Sequence, residues 1–347
     1  MVRVLIILFL FVASSCKKNS YEVDAICEVT ELYNYIVKWD IYPYYDGNVT
    51  IYTSLSPDYF NKEQAAAVVP ISRGRADLVV DGSLNRRYFL LEFDEDHQIV
   101  VGVRSQGFET VYNFRDFGGL RSENHKRIRW GQIYRSGSLD SISTIDARRI
   151  GRMHINTLLD FRKEEHNSEL SDRMQIKQRF HFPISANQER PFEALYSGQM
   201  RRKDAIKYMQ GAFCRMAQCD ESLKNTFNVL SDPASYPVVL SCDYGTIQTS
   251  LVAVLLLHIL EIPMYTITED YLLNNTYFEM THVAPHVNRM PSYTQEAITT
   301  LLASEEIYIQ TFLTYIKEKY GSVNNYLQDC LGITDQDKEV MRSLLLR

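Results

Sequence analysis

Hydrophobic and polar positions repeat along this chain in three ways, and each predicts a different kind of structure. An unbroken apolar run from Val4 to Val12 leads into Ala13, Ser14, Ser15 and Cys16, with one positive residue, Arg3, in front of it. That run is too short to span a bilayer and has the build of a signal peptide over residues 1–15. From about residue 21 to 105 apolar positions alternate with polar ones in β-branched and aromatic segments at 34–39, 47–53, 76–80, 88–93 and 98–104. Turns such as Asp46-Gly47 and Asp81-Gly82 separate them, so this region is expected to be a small all-β sandwich with Trp39 in its core. From residue 109 to 347 short apolar runs alternate with stretches of helical period. That alternation predicts an α/β domain, a central sheet flanked by helices. Helices are expected from Thr144 to Met153 behind a Ser143 or Thr144 cap, across 185–218 and 220–230, from Tyr308 to Tyr320, and after Thr334 as an N-cap.

One stretch carries candidate chemistry. Val238-Val239-Leu240 reads as a short buried strand, a polar turn begins at Cys242, and Leu251 to Leu260 is apolar enough for a core helix. A strand, a turn and a helix N-terminus aim backbone N–H groups and the helix dipole at one point, which suits an anion and favours a thiolate. Cys242 occupies that point. The turn residues Asp243, Tyr244, Gly245, Thr246, Ile247 and Gln248 are therefore the expected anion cradle.

The segment Pro237 to Ser250 resembles the phosphate-binding loop (P-loop) of cysteine-dependent protein-tyrosine phosphatases, in a bacterial branch whose loop usually reads His-Cys-x-x-Gly-Lys-Asp-Arg-Thr-Gly. Cys242, Gly245 and Thr249 fall on matching positions, whereas Ser241, Thr246, Ile247, Gln248 and Ser250 depart from them. Further elements recur in order: Asn113-Phe-Arg115-Asp116-Phe-Gly-Gly119, Tyr134-Arg135-Ser-Gly137, Asp160-Phe-Arg162, Thr268-Glu-Asp-Tyr-Leu-Leu-Asn-Asn275 and Leu331-Gly-Ile-Thr334. The resemblance implies Cys242 as nucleophile, Thr249 as support for its thiolate and Asp160 as general acid. Where the family has its phosphate-binding arginine, this chain has Gln248, one neutral amide in place of a bidentate, permanently charged fork. An arginine meeting a transferring phosphoryl group is worth roughly 10³–10⁵ in rate in nucleotide hydrolases. Turnover is therefore expected to be weak or absent, and the Cys242 thiol less acidic than in an active relative, unless Arg135 or Arg115 supplies the missing charge. Arg115 and Asp116 are also expected to pair with each other beside the Gly118-Gly119 turn.

Composition changes this picture little. With 45% hydrophobic residues and a formal charge of −6, the chain is an ordinary globular protein and no nucleic-acid partner is expected. No Cys/His cluster has metal-ligand spacing, and no cofactor is implied. Of the six cysteines, Cys16 sits where a relaxed lipoprotein box would place a lipidated first residue, with residues 16–20 as linker. The chain is then expected outside the cytoplasm, held to a bacterial membrane by its N-terminus. The remaining cysteines are too scattered for a disulfide scaffold, and Cys214 and Cys219 read as packing residues. Three functions remain open: an impaired phosphatase-like lipoprotein that binds a phosphorylated protein or small anion, a working phosphotyrosine hydrolase, or a surface protein whose β-sandwich binds a protein partner.

Overall fold

The computed structural model describes residues 22–30, 34–79, 86–93, 97–105, 107–164, 171–185, 194–195, 197–278, 280 and 284–347. The signal peptide, the Cys16 lipid site and the Asp81-Gly82 turn lie outside them.

Two antiparallel sheets form the N-terminal unit. One has the order β1-β2-β5, from β1 (Glu22–Val29), β2 (Tyr35–Tyr42) and β5 (Arg75–Leu78). The other has the order β4-β3-β6-β7, from β3 (Asn48–Ser54), β4 (Ala67–Pro70), β6 (Tyr88–Glu92) and β7 (Gln98–Gly102). Alternation turns Tyr35, Val37 and Trp39 of β2 and Val49 and Ile51 of β3 into one shared core with Phe89, Leu91 and Val101. The Trp39 indole N–H donates to the Ile71 carbonyl at 3.0 Å, so the largest core ring keeps a partner for its polar atom. Strands β1 and β4 were not foreseen. Both are edge strands with half-exposed faces, and the apolar contrast that announces a strand is weak there.

β6 breaks alternation in the other direction, because Tyr88, Phe89, Leu90 and Leu91 are all buried. Its outer face is covered by the second unit. Tyr88 meets Trp130 edge-on at 6.3 Å between ring centroids, and the Trp130 indole donates to the Val100 carbonyl at 2.9 Å. Arg86 crosses the same seam to pair with Asp116 at 2.6 Å, its guanidinium 4.7 Å from the Tyr88 ring centroid and 5.4 Å from that of Trp130. Asp116 also accepts from the Gly118 and Gly131 amides. The expected Arg115–Asp116 pair does not form, because successive strand residues point to opposite faces: Asp116 turns to the seam and Arg115 into the second unit.

The second unit is α/β. Its sheet has the order β11-β10-β12-β9-β8, from β8 (Arg115–Asp116), β9 (Ile133–Ser136), β10 (Thr157–Asp160), β11 (Gln178–His181) and β12 (Val238–Ser241), parallel throughout except β8. Around it lie α1 (Thr144–Gly151), α2 (Arg202–Met216), α3 (Glu221–Leu230), α4 (Gln248–Ile259), α5 (Met264–Leu272), α6 (Ser292–Leu302), α7 (Glu306–Tyr320) and α8 (Asp335–Leu345). Ser143 and Thr334 are the N-caps of α1 and α8, as their sequence positions predict. α4 is apolar on all sides and buried almost throughout, which makes it the central helix of the domain.

Cys219 and Cys330 form a disulfide across 111 residues of sequence, correcting the reading of Cys219 as a packing residue; Cys214 keeps a free thiol. Spacing could not show this, since the partners lie far apart in the chain and meet only after α7 packs against α2, the helix that precedes Cys219. Breaking this long loop's closure is expected to lower the unfolding free energy by about 2–4 kcal/mol, read from urea melts with and without reductant.

Candidate functional site

Cys242 follows the central strand β12 directly, and the turn Asp243 to Ile247 delivers the chain into α4. Gly245 makes this turn possible. Its φ is +68°, and a Cβ there would lie 2.6 Å from the Ser136 carbonyl carbon and 2.7 Å from the Gly137 nitrogen. Only glycine allows both that backbone and that approach.

The turn is gripped from behind by polar groups that are themselves buried. The Gly245 carbonyl accepts from the Asn113 amide at 2.6 Å and from Arg135 Nη2 at 2.8 Å. The Thr246 carbonyl accepts from the Ser250 hydroxyl, which in turn accepts from Arg135 Nη2 at 2.6 Å and from Asn274 Nδ2 at 3.0 Å. In a trans peptide the carbonyl and the next N–H point opposite ways, so drawing these carbonyls inward turns the Thr246 and Ile247 amides away from the cluster. Among the described residues no acceptor meets the backbone N–H of Gly245, Thr246, Ile247, Gln248 or Thr249. Five consecutive free donors at a helix N-terminus form a concentration of partial positive charge suited to an anion.

Behind the turn one carboxylate serves three guanidiniums. Asp270, on α5, pairs with Arg104, with Arg115 at 3.6 Å and with Arg135 at 3.3 Å. Burial alone would push its carboxyl up, but Arg115, Arg104 and Arg135 override it and hold it well below the usual carboxylate range. Burial, followed by the charge of Arg135, pushes Arg115 well below its ordinary value, with Asp270 opposing. Burial likewise lowers Arg135, again against Asp270. Arg115 is further held by the Asp270 carbonyl at 2.8 Å and by Asn274 Oδ1 at 3.1 Å.

Of the residues expected in the site, Cys242, Gly245, Thr249, Arg135 and Arg115 therefore converge. Cys242 is buried at 1% exposure, its sulfur 3.7 Å from the Thr249 hydroxyl. Arg135 and Arg115 stand at the back of the turn with their Nη atoms spent on the loop, Asn113, Asn274 and Asp270, an arrangement unlike a fork aimed at a ligand. Gln248 and Ile247 are half-buried at the front, Thr246 is buried and Asp243 exposed. Asp160 lies on the strand beside Ser241, yet both its oxygens accept from Arg162, whose far side is held by Asp140 and Ser138. That carboxylate is a fixed acceptor for arginine. Sequence reasoning quoted the elements that carry Asn113, Ser250, Asp270 and Asn274 but gave these four residues no role in the site. The last two are four residues apart, the spacing that puts side chains on one helix face, and that was the signal available.

A match to the tyrosine phosphatase family model covers residues 107–347. The chain belongs to the tyrosine phosphatase family. It is 27% identical over 257 residues to a Cupriavidus necator protein named "Putative tyrosine-protein phosphatase", covering 67% of this chain and 86% of that one. Among solved structures it overlaps the core catalytic domain of the PP-IP phosphatase Siw14 of S. cerevisiae, determined with citrate, at 16% identity and a TM-score of 0.28, over 56% of this chain and 89% of that one. A second structure of the Siw14 catalytic core gives 14% identity and the same TM-score of 0.28. A superposition that loose does not bear on the fold.

A cavity of about 590 Å³ lies at the seam between the two units, beside Trp130, Arg121, Arg127 and Val100; neither Cys242 nor the turn lines it.

Asp270→Asn should be among the most destabilising changes in this phosphatase-family chain, by about 3–5 kcal/mol in urea melts, because it leaves two buried cations, Arg115 and Arg135, and the half-buried Arg104 without their anion. The sign of the pH dependence follows. A carboxyl lowered on folding adds stability that is complete above its unfolded value of about 3.9 and is lost as pH falls through the folded value. Wild-type protein should therefore lose stability in acid below about pH 4, and Asp270→Asn should lose less over the same interval.

Proposed function

We propose that this protein is an extracytoplasmic, lipid-anchored member of the family whose loop binds a phosphorylated or other small anionic ligand and turns it over weakly or not at all. The run of unpartnered amides from Gly245 to Thr249 supports binding. Gln248 at the front of the loop supports impaired turnover. Catalysis requires interactions stronger in the transition state than in the ground state, and charge spreading over the equatorial oxygens is met here by backbone N–H groups and a neutral amide. The anion they hold would lie at the N-terminus of α4, above Cys242.

In the alternative, a working hydrolase, Arg135 or Arg115 would replace the lost fork. Arg135 would have to release Gly245, Thr249 and Ser250 to do so, and Asp160 would have to leave Arg162 to act as a proton donor. The impaired reading needs neither rearrangement.

The Cys219–Cys330 disulfide supports the extracytoplasmic setting, since such bonds persist mainly in oxidising compartments. The strand orders β1-β2-β5 and β4-β3-β6-β7 around one core support reading the N-terminal unit as an immunoglobulin-like or fibronectin type III-like sandwich. Its exposed Tyr42 and Tyr44 would be the natural contact for a protein partner of that unit.

Isothermal titration with inorganic phosphate, beside an aryl phosphate assay, tests the loop. Wild type should bind phosphate with little or no turnover, and Gln248→Arg should bind at least tenfold more tightly and gain turnover that Cys242→Ser abolishes. Full turnover by wild type, lost in Cys242→Ser, would sink the impaired reading. Absence of phosphate binding in both wild type and Gln248→Arg would sink the anion site. For the anchor, Cys16→Ser should move the protein from the membrane to the soluble fraction, and unchanged membrane association would refute lipidation.

A further inference from the structure

The cavity of about 590 Å³ at the seam is of the size that holds small organic molecules, and both units build it. Leu90 of β6 and Val100 of β7 pair across their strands on the face turned away from the sandwich core, since Phe89, Leu91, Ile99 and Val101 alternate with them into that core. Ile128 and Trp130 close the cavity from the α/β unit. These four side chains make an apolar floor.

Three arginines stand around that floor against one carboxylate, Glu22. Two of the three are committed. Arg127 donates from Nη1 to the Gly119 carbonyl at 3.1 Å, and from Nη2 to the Val23 carbonyl at 3.0 Å and Asp24 at 2.7 Å, which clamps β1 to the second unit. Arg121 pairs with Glu22 and donates to His125 Nδ1.

Arg347 is different. Its backbone pairs with that of Arg127, at 2.9 and 3.0 Å, so the root of the side chain is fixed beside the cavity. Its Nη1 lies 3.5 Å from both the Pro57 carbonyl and Asp58, and among the described residues its Nε and Nη2 have no partner. Burial pushes Arg347 below its ordinary value; Asp58 opposes this, and the charge of Arg129 adds to it. Arg129 itself has a buried Nε with no partner among the described residues. Two neighbouring cations thus share one exposed carboxylate.

We propose that this cavity binds a small organic anion with an aromatic or apolar body, its charged group on Arg347 and its body on Leu90, Val100, Ile128 and Trp130. A neutral ligand would cover Arg347 without supplying a counter-charge, and a cation would meet three guanidiniums. A bare inorganic anion would leave the apolar floor unused.

The probes are anilinonaphthalene sulfonate, a fluorescent aromatic anion, and phenylnaphthylamine, the same rings without the sulfonate, each titrated into the full chain. Wild type should bind one equivalent of the sulfonate at least about tenfold more tightly than the neutral amine, the gain expected of one charge-assisted contact. Arg347→Met should erase that preference and Arg347→Lys should keep most of it. Val100→Trp, which fills the floor and touches no arginine, should weaken both probes about tenfold. Inorganic phosphate in excess should leave the dye bound, which separates this site from the loop. No saturable binding by wild type, equal affinity for the two probes, or a preference unchanged in Arg347→Met would each overturn the proposal. Displacement by phosphate would overturn it too, by placing the dye at the loop. Should Val100→Trp fail to fold by circular dichroism, Gln98→Trp takes its place on the exposed wall of the cavity, and undiminished binding there counts against the site.

Discussion

The geometry of the loop depends on one buried carboxylate. Asp270 draws together Arg104 from the end of the β unit, Arg115 from β8 and Arg135 from β9; Arg135 and Asn113 hold the Gly245 carbonyl from behind, and Asn274 reaches the turn through the Ser250 hydroxyl. Burying ions is expensive, and a pair buried for stability alone is often no better than packed apolar residues. Here the cost is offset by shape. The cluster carries more positive than negative charge, and its hydrogen bonds force a run of backbone amides outward. An anion in front of the loop would complete the electrostatics that Asp270 alone leaves unbalanced.

That arrangement separates two tasks an active phosphatase combines. Shaping the loop belongs to Arg135, Asn113, Asn274, Ser250 and the glycine at 245, all acting from behind. On the proposed reading, meeting the charge that develops on a phosphoryl group would belong to the front, where position 248 begins α4. A buried arginine that already donates to a carbonyl and two hydroxyls stabilises the loop equally before and during any reaction. Such uniform stabilisation does not lower a barrier.

Much of the α/β unit was legible in the sequence because its signals are local. The strand 238–240, the apolar helix behind it, the Ser143 and Thr334 caps and the glycine-dependent turn each follow from a few neighbouring residues. The cluster was not legible, because its members come from residues 104, 113, 115, 135, 250, 270 and 274, and the Arg104–Asp270 pair alone spans 166 positions. Arg115 and Asp116 show the limit most directly. Adjacent opposite charges suggest a pair in one dimension, and the strand's alternation sends them to different interiors. The Cys219–Cys330 bond and the edge strands β1 and β4 failed for related reasons: distant partners in the first case, weak apolar contrast in the second.

The same separation explains how Cys242, Gly245 and Thr249 stand beside a glutamine at 248. Gly245 cannot change without its Cβ meeting Ser136 and Gly137, and Thr249 is packed between Arg135 and the cysteine sulfur. Gln248 carries no such burden: it is half-buried, and among the described residues its side chain makes no hydrogen bond to the cluster. A substitution there leaves every contact behind the loop intact. Structural constraint therefore bears more strongly on the surroundings of Cys242 than on position 248. On the proposed reading, such a loop would keep the capacity to hold an anion without the means to cleave one.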